Sequence, residues 1–283
     1  MKVRTGCFWA IISIFFVSCY TPHYMYSPPA QNIPVLVKKG DSKLSANYSS
    51  DLSGNPFNSG SSGGNKKNSK GFDIQGAVAI TNHFAIQANY FNRTERNSGG
   101  GNNADSAVIS YKRNLTEFGI GYFKSVHRRD KVMFQLFGGV GKGTFSFIDR
   151  GKNRNGFLFI NNHEADVFKV YIQPAFLFRI RDNFSMSVSS RLSIISYSHI
   201  KTDYTETELY DYKLSDLSNG AYGFWEPAFT NTFGFDKLPG LKFEYQLSTA
   251  LLLSERRIDY RSFNFSLGIL LDIPKLFQPA PGN

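Results

Sequence analysis

The sequence predicts an all-β fold: an antiparallel transmembrane β-barrel of about ten strands, behind an export signal and an extended tether. Three observations lead there. From residue 42 to the end, apolar and polar side chains alternate with a period of two, which only a pleated strand turns into two distinct faces. Aromatic residues make up 16% of the chain, with 27 Phe and 15 Tyr, yet the mean hydropathy is slightly negative, as expected of half-apolar strands and not of membrane helices. Short turns alternate with long polar connections, the asymmetry of barrels that cross a bilayer.

The first residues are export machinery. Lys2 and Arg4 precede an apolar run from Cys7 to Val17, too short to span a bilayer and placed like a signal peptide. The run ends in Phe16-Val17-Ser18-Cys19. This resembles a bacterial lipoprotein box, which implies cleavage after residue 18 and a diacylglycerol on Cys19; the alternative is an ordinary secretory signal cut nearby. Domains 1–18 (signal), 19–41 (lipidated cysteine and periplasmic tether) and 42–283 (barrel) follow. Pro22, Pro28, Pro29 and Pro34 suit an extended tether. Cys7 and Cys19 are the only cysteines, so the mature chain has no disulfide. Loss of Lys2 and Arg4 takes the formal charge from +10 to +8. In an exported protein that excess points to anionic lipid phosphates, lipopolysaccharide among them, more than to nucleic acid.

The alternation places strands at about 42–51, 71–80, 84–93, 105–126, 131–148, 165–180, 184–199, 222–236, 241–254 and 260–273. Phe168, Val170, Ile172, Phe176 and Phe178 share one face while Lys169, Tyr171 and Gln173 share the other. A soluble sandwich also alternates, but strands of ten or more residues and aromatics near their ends (Phe72, Phe84, Phe91, Phe123, Phe178, Tyr222, Phe224, Phe233, Phe243) fit a bilayer better. An even strand number puts both termini in the periplasm. With the pieces FVSC (16–19), GFDIQGAVAITNHFAIQANYF (71–91) and EFGIGYF (117–123), the chain resembles the small lipidated outer-membrane barrels of Bacteroidota. The resemblance implies an outer-membrane location. The absence of acidic residues straight after Cys19 implies an anchor facing the periplasm.

The faces opposite the apolar ones define a lumen network of Asp73, Glu117, Lys169, Arg179, Arg191, Glu226, Lys242 and Glu244. Each would cost roughly 2–4 kcal/mol if it faced lipid at mid-depth. Gly119, Gly121, Gly139 and Gly141 leave room for bulk beside them. Exposed bases expected to meet lipopolysaccharide phosphates are Lys66, Lys67, Lys70, Arg150, Lys152, Arg154, Arg256, Arg257 and Arg261.

Catalytic patterns are poor. His163, Glu164, Asp166, His199 and Asp203 lie where omptin-like proteases carry theirs, but the spacing differs from that family's. Ser196, Ser198 and His199 resemble part of a lipid A deacylase set, yet strict alternation sends Ser198 and His199 to opposite faces. The glycine run 138–144 departs from a phosphate loop, and five histidines show no ligand spacing. The sequence therefore predicts a non-enzymatic barrel without cofactor or metal, a structural or accessory subunit of a larger envelope complex. A narrow pore for small solutes and a rim-sited hydrolase are the alternatives.

Overall fold

A computed structural model describes residues 22–51, 67–98, 108–152, 157–181 and 183–276. Eleven strand segments form one closed sheet in which sequence neighbours are spatial neighbours. They are β1 (Ser42–Asp51), β2 (Lys67–Ala79), β3 (Phe84–Ser98), β4 (Val108–Ser125), β5 (Val132–Lys152), β6 (Leu158–Arg181), β7 (Phe184–Thr202), β8 (Ala221–Phe235), β9 (Leu238–Thr249), β10 (Leu251–Leu252) and β11 (Phe263–Leu271). β9 and β10 are consecutive pieces of one stave, both paired with β8. β11 joins β9 to β1 and closes the ring. The result is an antiparallel transmembrane β-barrel of ten staves. The remaining elements are a helical turn in the β7–β8 loop, α1 (Glu206–Asp211), and a terminal turn, α2 (Ile273–Leu276).

Alternation explains which side chain goes where. Val170, Ile172 and Phe176 on β6 project outward, as do Val188, Leu192 and Ile194 on β7, and Leu267 and Ile269 on β11, each between 43% and 58% exposed. Such a continuous apolar outer wall would be untenable in water and is what hydrocarbon requires. Lys169, Gln173 and Arg191, one residue out of phase, are buried inside. Of the expected girdle aromatics, Phe72, Phe84, Phe178, Phe233 and Phe243 do face outward, whereas Phe91, Phe123, Tyr222 and Phe224 point into the barrel.

The strands outrun their predicted ends. β3 continues to Ser98, β5 to Lys152, and β6 begins at Leu158. β6 has 24 residues, against roughly 9–11 needed to cross a bilayer. Polar residues assigned to loops are thus strand, carrying the wall beyond the membrane on the long-loop side.

Four glycines admit bulk as the sequence predicts. A Cβ on Gly119 or Gly139 would meet the Tyr171 hydroxyl at 2.6 Å, one on Gly121 would run into the Phe137 ring, and one on Gly141 would meet the Glu117 Cγ at 3.0 Å.

The segment before β1 overturns an expectation. Its described part, read from the sequence as a tether lying outside the barrel, runs through the lumen: residues 25–34 are all buried. Its start lies at the long-loop mouth, where the Pro22 carbonyl accepts the Tyr111 hydroxyl and Met25 N–H bonds the Asp259 carbonyl. Its end lies at the short turns, where Lys39 N–H bonds Asn82 and Gly40 N–H bonds the Ala79 carbonyl. The prolines that suggested a linker also suit a buried thread, since a residue without N–H leaves one less donor to satisfy. The two ends of the described chain therefore lie at opposite ends of the barrel, Pro22 at the long loops and α2 by the start of β1, where the sequence placed both termini on the short-turn side.

Candidate functional site

The lumen is the site with the most structure, and it forms three layers around the thread. Near the short turns, Ile33 and Leu36 of the thread pack on Ala79, Ala85, Phe123, Met133, Phe137, Ala175 and Leu177. Near the long loops, Met25 and Tyr26 pack within an aromatic layer that includes Tyr111, Phe145, Phe147, Tyr197, Tyr222 and Phe224. The polar layer lies between them.

Four glutamines from separate staves grip the thread's backbone. Gln75 of β2 donates to the Ala30 carbonyl at 2.9 Å, and Gln246 of β9 to that of Gln31 at 2.8 Å. Gln173 of β6 donates to Asn32 at 2.9 Å, and Gln135 of β5 to Pro34. In return, Ala30 N–H donates to Asp73 and Gln31 N–H to Gln246. An irregular backbone removed from water needs such partners, each unmet group costing about 1–3 kcal/mol. The thread thus occupies the lumen, bonded to four staves of the wall.

Charges inside are paired in groups. In the middle, Lys169 lies 3.2 Å from Glu117 and 3.6 Å from Glu226, while Arg191 lies 3.5 Å from Glu117 and 4.0 Å from Glu226. Tyr26 of the thread completes this group, donating to Glu226 at 2.5 Å and accepting from Lys169 at 3.1 Å. Towards the mouth, Glu95 pairs with Arg113 and Arg261 at 3.0 Å each, and Asp51 with Arg261 at 3.0 Å. Arg93 there donates to Ser27 of the thread and to Asn264. Towards the short turns, Lys43 meets Glu244 at 2.8 Å.

Of the predicted network, Asp73, Glu117, Lys169, Arg191, Glu226, Lys242 and Glu244 are buried inside. Arg179 is only half-buried, at the short-turn rim, where its N–H bonds the Lys131 carbonyl. Sequence reasoning missed Lys43, Asp51, Arg93, Glu95 and Arg113, all buried and inward. The parity of β3 and β4, followed past their predicted ends or into their polar stretches, would have found the last three.

Arg261 needs correction. Expected on the surface, it is buried, ion-paired with Asp51 and Glu95, and its guanidinium lies 3.8 Å from the centre of the Tyr24 ring. The cause is that segment 258–261 folds into the mouth, with Ile258 buried and Arg261 N–H bonded to the Tyr26 carbonyl. Lys70, Arg150, Lys152, Arg256 and Arg257 are exposed. Cys19, Lys66 and Arg154 lie outside the described residues, as does the side chain of Lys67.

The mouth is roofed by the β7–β8 loop. Thr205 caps α1 reciprocally with Glu208. Leu214 and Leu217 drop into the aromatic layer. Tyr204 reaches Asp149 at 3.2 Å and His23 at 3.3 Å, and Tyr212 lies on the His23 ring at 3.9 Å between centres. Burial, then the negative charge of Asp149, holds the Tyr204 hydroxyl well above the ordinary tyrosine range. At the outer edge Asp203 accepts from the backbone and side chain of Asn162, which holds its carboxyl below the ordinary range.

The rim residues weighed as catalytic separate. His163 points inward and stacks on Phe147, Glu164 is exposed on the opposite face, and Asp203 is used by Asn162. A bulge between Glu164 and Asp166, with His199 at φ 49°, breaks the alternation. Ser198 and His199 consequently both face out, contrary to the strict two-residue reading. Ser198 Oγ and Asp166 Oδ2 nonetheless approach the same nitrogen, Nδ1 of His199, at 3.4 and 3.1 Å. A serine relay needs acid and nucleophile on different nitrogens. This cluster is not one. Among the described residues no group of three His, Cys, Asp or Glu side chains is placed to hold a metal ion.

No protein-family model matches the chain, and no curated protein matches it. Solved structures similar in fold are outer-membrane barrels. The NanC porin has 8% identity and a TM-score of 0.35, with 82% of this chain and 100% of that one covered. The COG4313 outer membrane channel from Pseudomonas putida F1 has 10% identity and a TM-score of 0.39, with coverage of 85% and 99%. The outer membrane protease OmpT from Escherichia coli has 12% identity and a TM-score of 0.40, with coverage of 82% and 93%.

Proposed function

We propose that the protein is a closed, non-enzymatic outer-membrane barrel, lipid-anchored through Cys19, that serves as an accessory subunit of a larger envelope complex and works through its long-loop face. The observation that carries this reading is the occupied lumen. Four glutamines and a balanced set of buried ions hold the thread where a solute would have to pass. Selective pores instead tend to present open space and one sign of charge at a constriction. The exposed bases Lys70, Arg150, Lys152, Arg256 and Arg257 suit contact with lipopolysaccharide phosphates around the rim. The expected partners are therefore outer-membrane lipid and neighbouring outer-membrane proteins.

Planar-bilayer conductance is expected to stay at baseline for the purified protein. Extraction in mild detergent is expected to bring down a defined envelope complex. Steady single-channel steps would replace this reading with the pore, and a barrel that purifies alone under every mild condition would remove the accessory role.

A further inference from the structure

The thread has a fixed direction. At its start Tyr111 holds the Pro22 carbonyl at 3.0 Å, Arg113 the Tyr24 carbonyl at 2.6 Å, and Asp259 accepts the His23 N–H at 3.0 Å, all at the long-loop mouth. Its far end is fastened to the β2–β3 turn through Lys39 and Asn82. A peptide advances at most about 3.3–3.6 Å per residue, so the three steps from Pro22 back to Cys19 reach roughly 11 Å. Passing the other way through the barrel would mean retracing a lumen already filled by the thread. Passing around it would draw polar backbone through hydrocarbon. In barrels of this kind the long loops face outward from the cell and the short turns face the periplasm.

We infer that the mature N-terminus emerges on the extracellular face, and that the acyl chains of Cys19 enter the outer leaflet of the membrane from that side. This rests on the lipidation proposed above, and it reverses the periplasm-facing anchor expected from the residues after Cys19. An anchor there would secure the mouth end of the thread, while the glutamine grip secures its middle. It also requires the acylated end to cross the membrane during assembly, with the barrel closing around a thread already in place.

The test uses Thr21→Cys and Lys39→Cys in the full-length chain, a membrane-impermeant maleimide, and palmitate labelling in parallel. Cys19 itself, as a thioether, does not react. Thr21→Cys is expected to label in intact cells as fully as after permeabilisation, and Lys39→Cys only after it, with palmitate present in both and lost in Cys19→Ala. Tyr20→Cys is the second probe should the thiol at 21 be shielded. Labelling at 20 and 21 only after permeabilisation, with palmitate present, would overturn the direction while leaving lipidation standing. Surface labelling without palmitate would overturn the leaflet assignment through its premise, leaving the direction of the thread standing.

Discussion

Glu226→Gln is expected to destabilise the barrel by about 3–5 kcal/mol, the usual cost of removing one partner from a buried ion group. Glu226 is fully buried, accepts from Tyr26 and Ser193 at 2.5 Å each, and faces Lys169 and Arg191. Glutamine retains the shape and an acceptor, but it leaves two buried cations with Glu117 as their remaining carboxylate in that group. Thermal unfolding in detergent micelles, read as the heat-dependent gel shift of folded barrels, would show the loss. Ser193→Ala, which removes one hydrogen bond and no charge, should cost only about 1 kcal/mol. Adding Lys169→Met to Glu226→Gln should recover part of the deficit, because an apolar side chain of similar length has no charge to leave unpaired. Equal effects of Ser193→Ala and Glu226→Gln would show that charge pairing is not what holds the centre.

Glu95→Gln is expected to cost a similar 3–5 kcal/mol, with a different local signature. Glu95 joins Arg113 and Arg261, so its charge binds the wall to the inward-folded segment 258–261. That segment bonds the thread through Met25 and Arg261. Beyond the loss of global stability, residues 23–25 should exchange their amides faster. In Glu226→Gln the same residues should be affected less than the stretch around Tyr26–Asn32. Hydrogen exchange followed by mass spectrometry separates the two patterns, and identical profiles would contradict the layered lumen.

The barrel was legible in the sequence because hydrocarbon imposes a strict rule on every second residue. Lys169, Arg191, Glu117, Glu226 and Glu244 fell on the correct face by parity alone. Parity failed in two places, for physical reasons. Where β3 and β5 rise beyond the bilayer, the outward face turns polar, as at Arg96 and Arg150, and the alternation loses its contrast. There Glu95, inward and ion-paired, was assigned to a loop. At the bulge opposite Glu164 and Asp166 one extra residue in β7 inverts its faces, which brought Ser198 and His199 to the same side.

The thread was not legible. Proline, serine and asparagine between residues 20 and 41 have the composition of a linker, and nothing local distinguishes a linker in water from one whose carbonyls are held by Gln75, Gln135, Gln173 and Gln246. The clue lay on the wall, in an inward face richer in glutamine than the ion pairs alone would need. Arg261 was misplaced because a last strand starting at 260 sets it on the outward face of Phe263, whereas β11 begins only at Phe263 and the chain before it folds into the mouth.

Occupation of the barrel by residues 22–37 is the claim from which closure, orientation and both destabilised variants follow. Hydrogen exchange of peptides covering 22–37 in the detergent-solubilised protein tests it directly. With N–H groups of His23, Met25, Ala30 and Gln31 bonded to Asp259, Asp73 and Gln246, these amides should exchange as slowly as those of the central strands. Exchange at the rate of a free peptide, with the strands still protected, would mean that the segment lies outside an empty barrel.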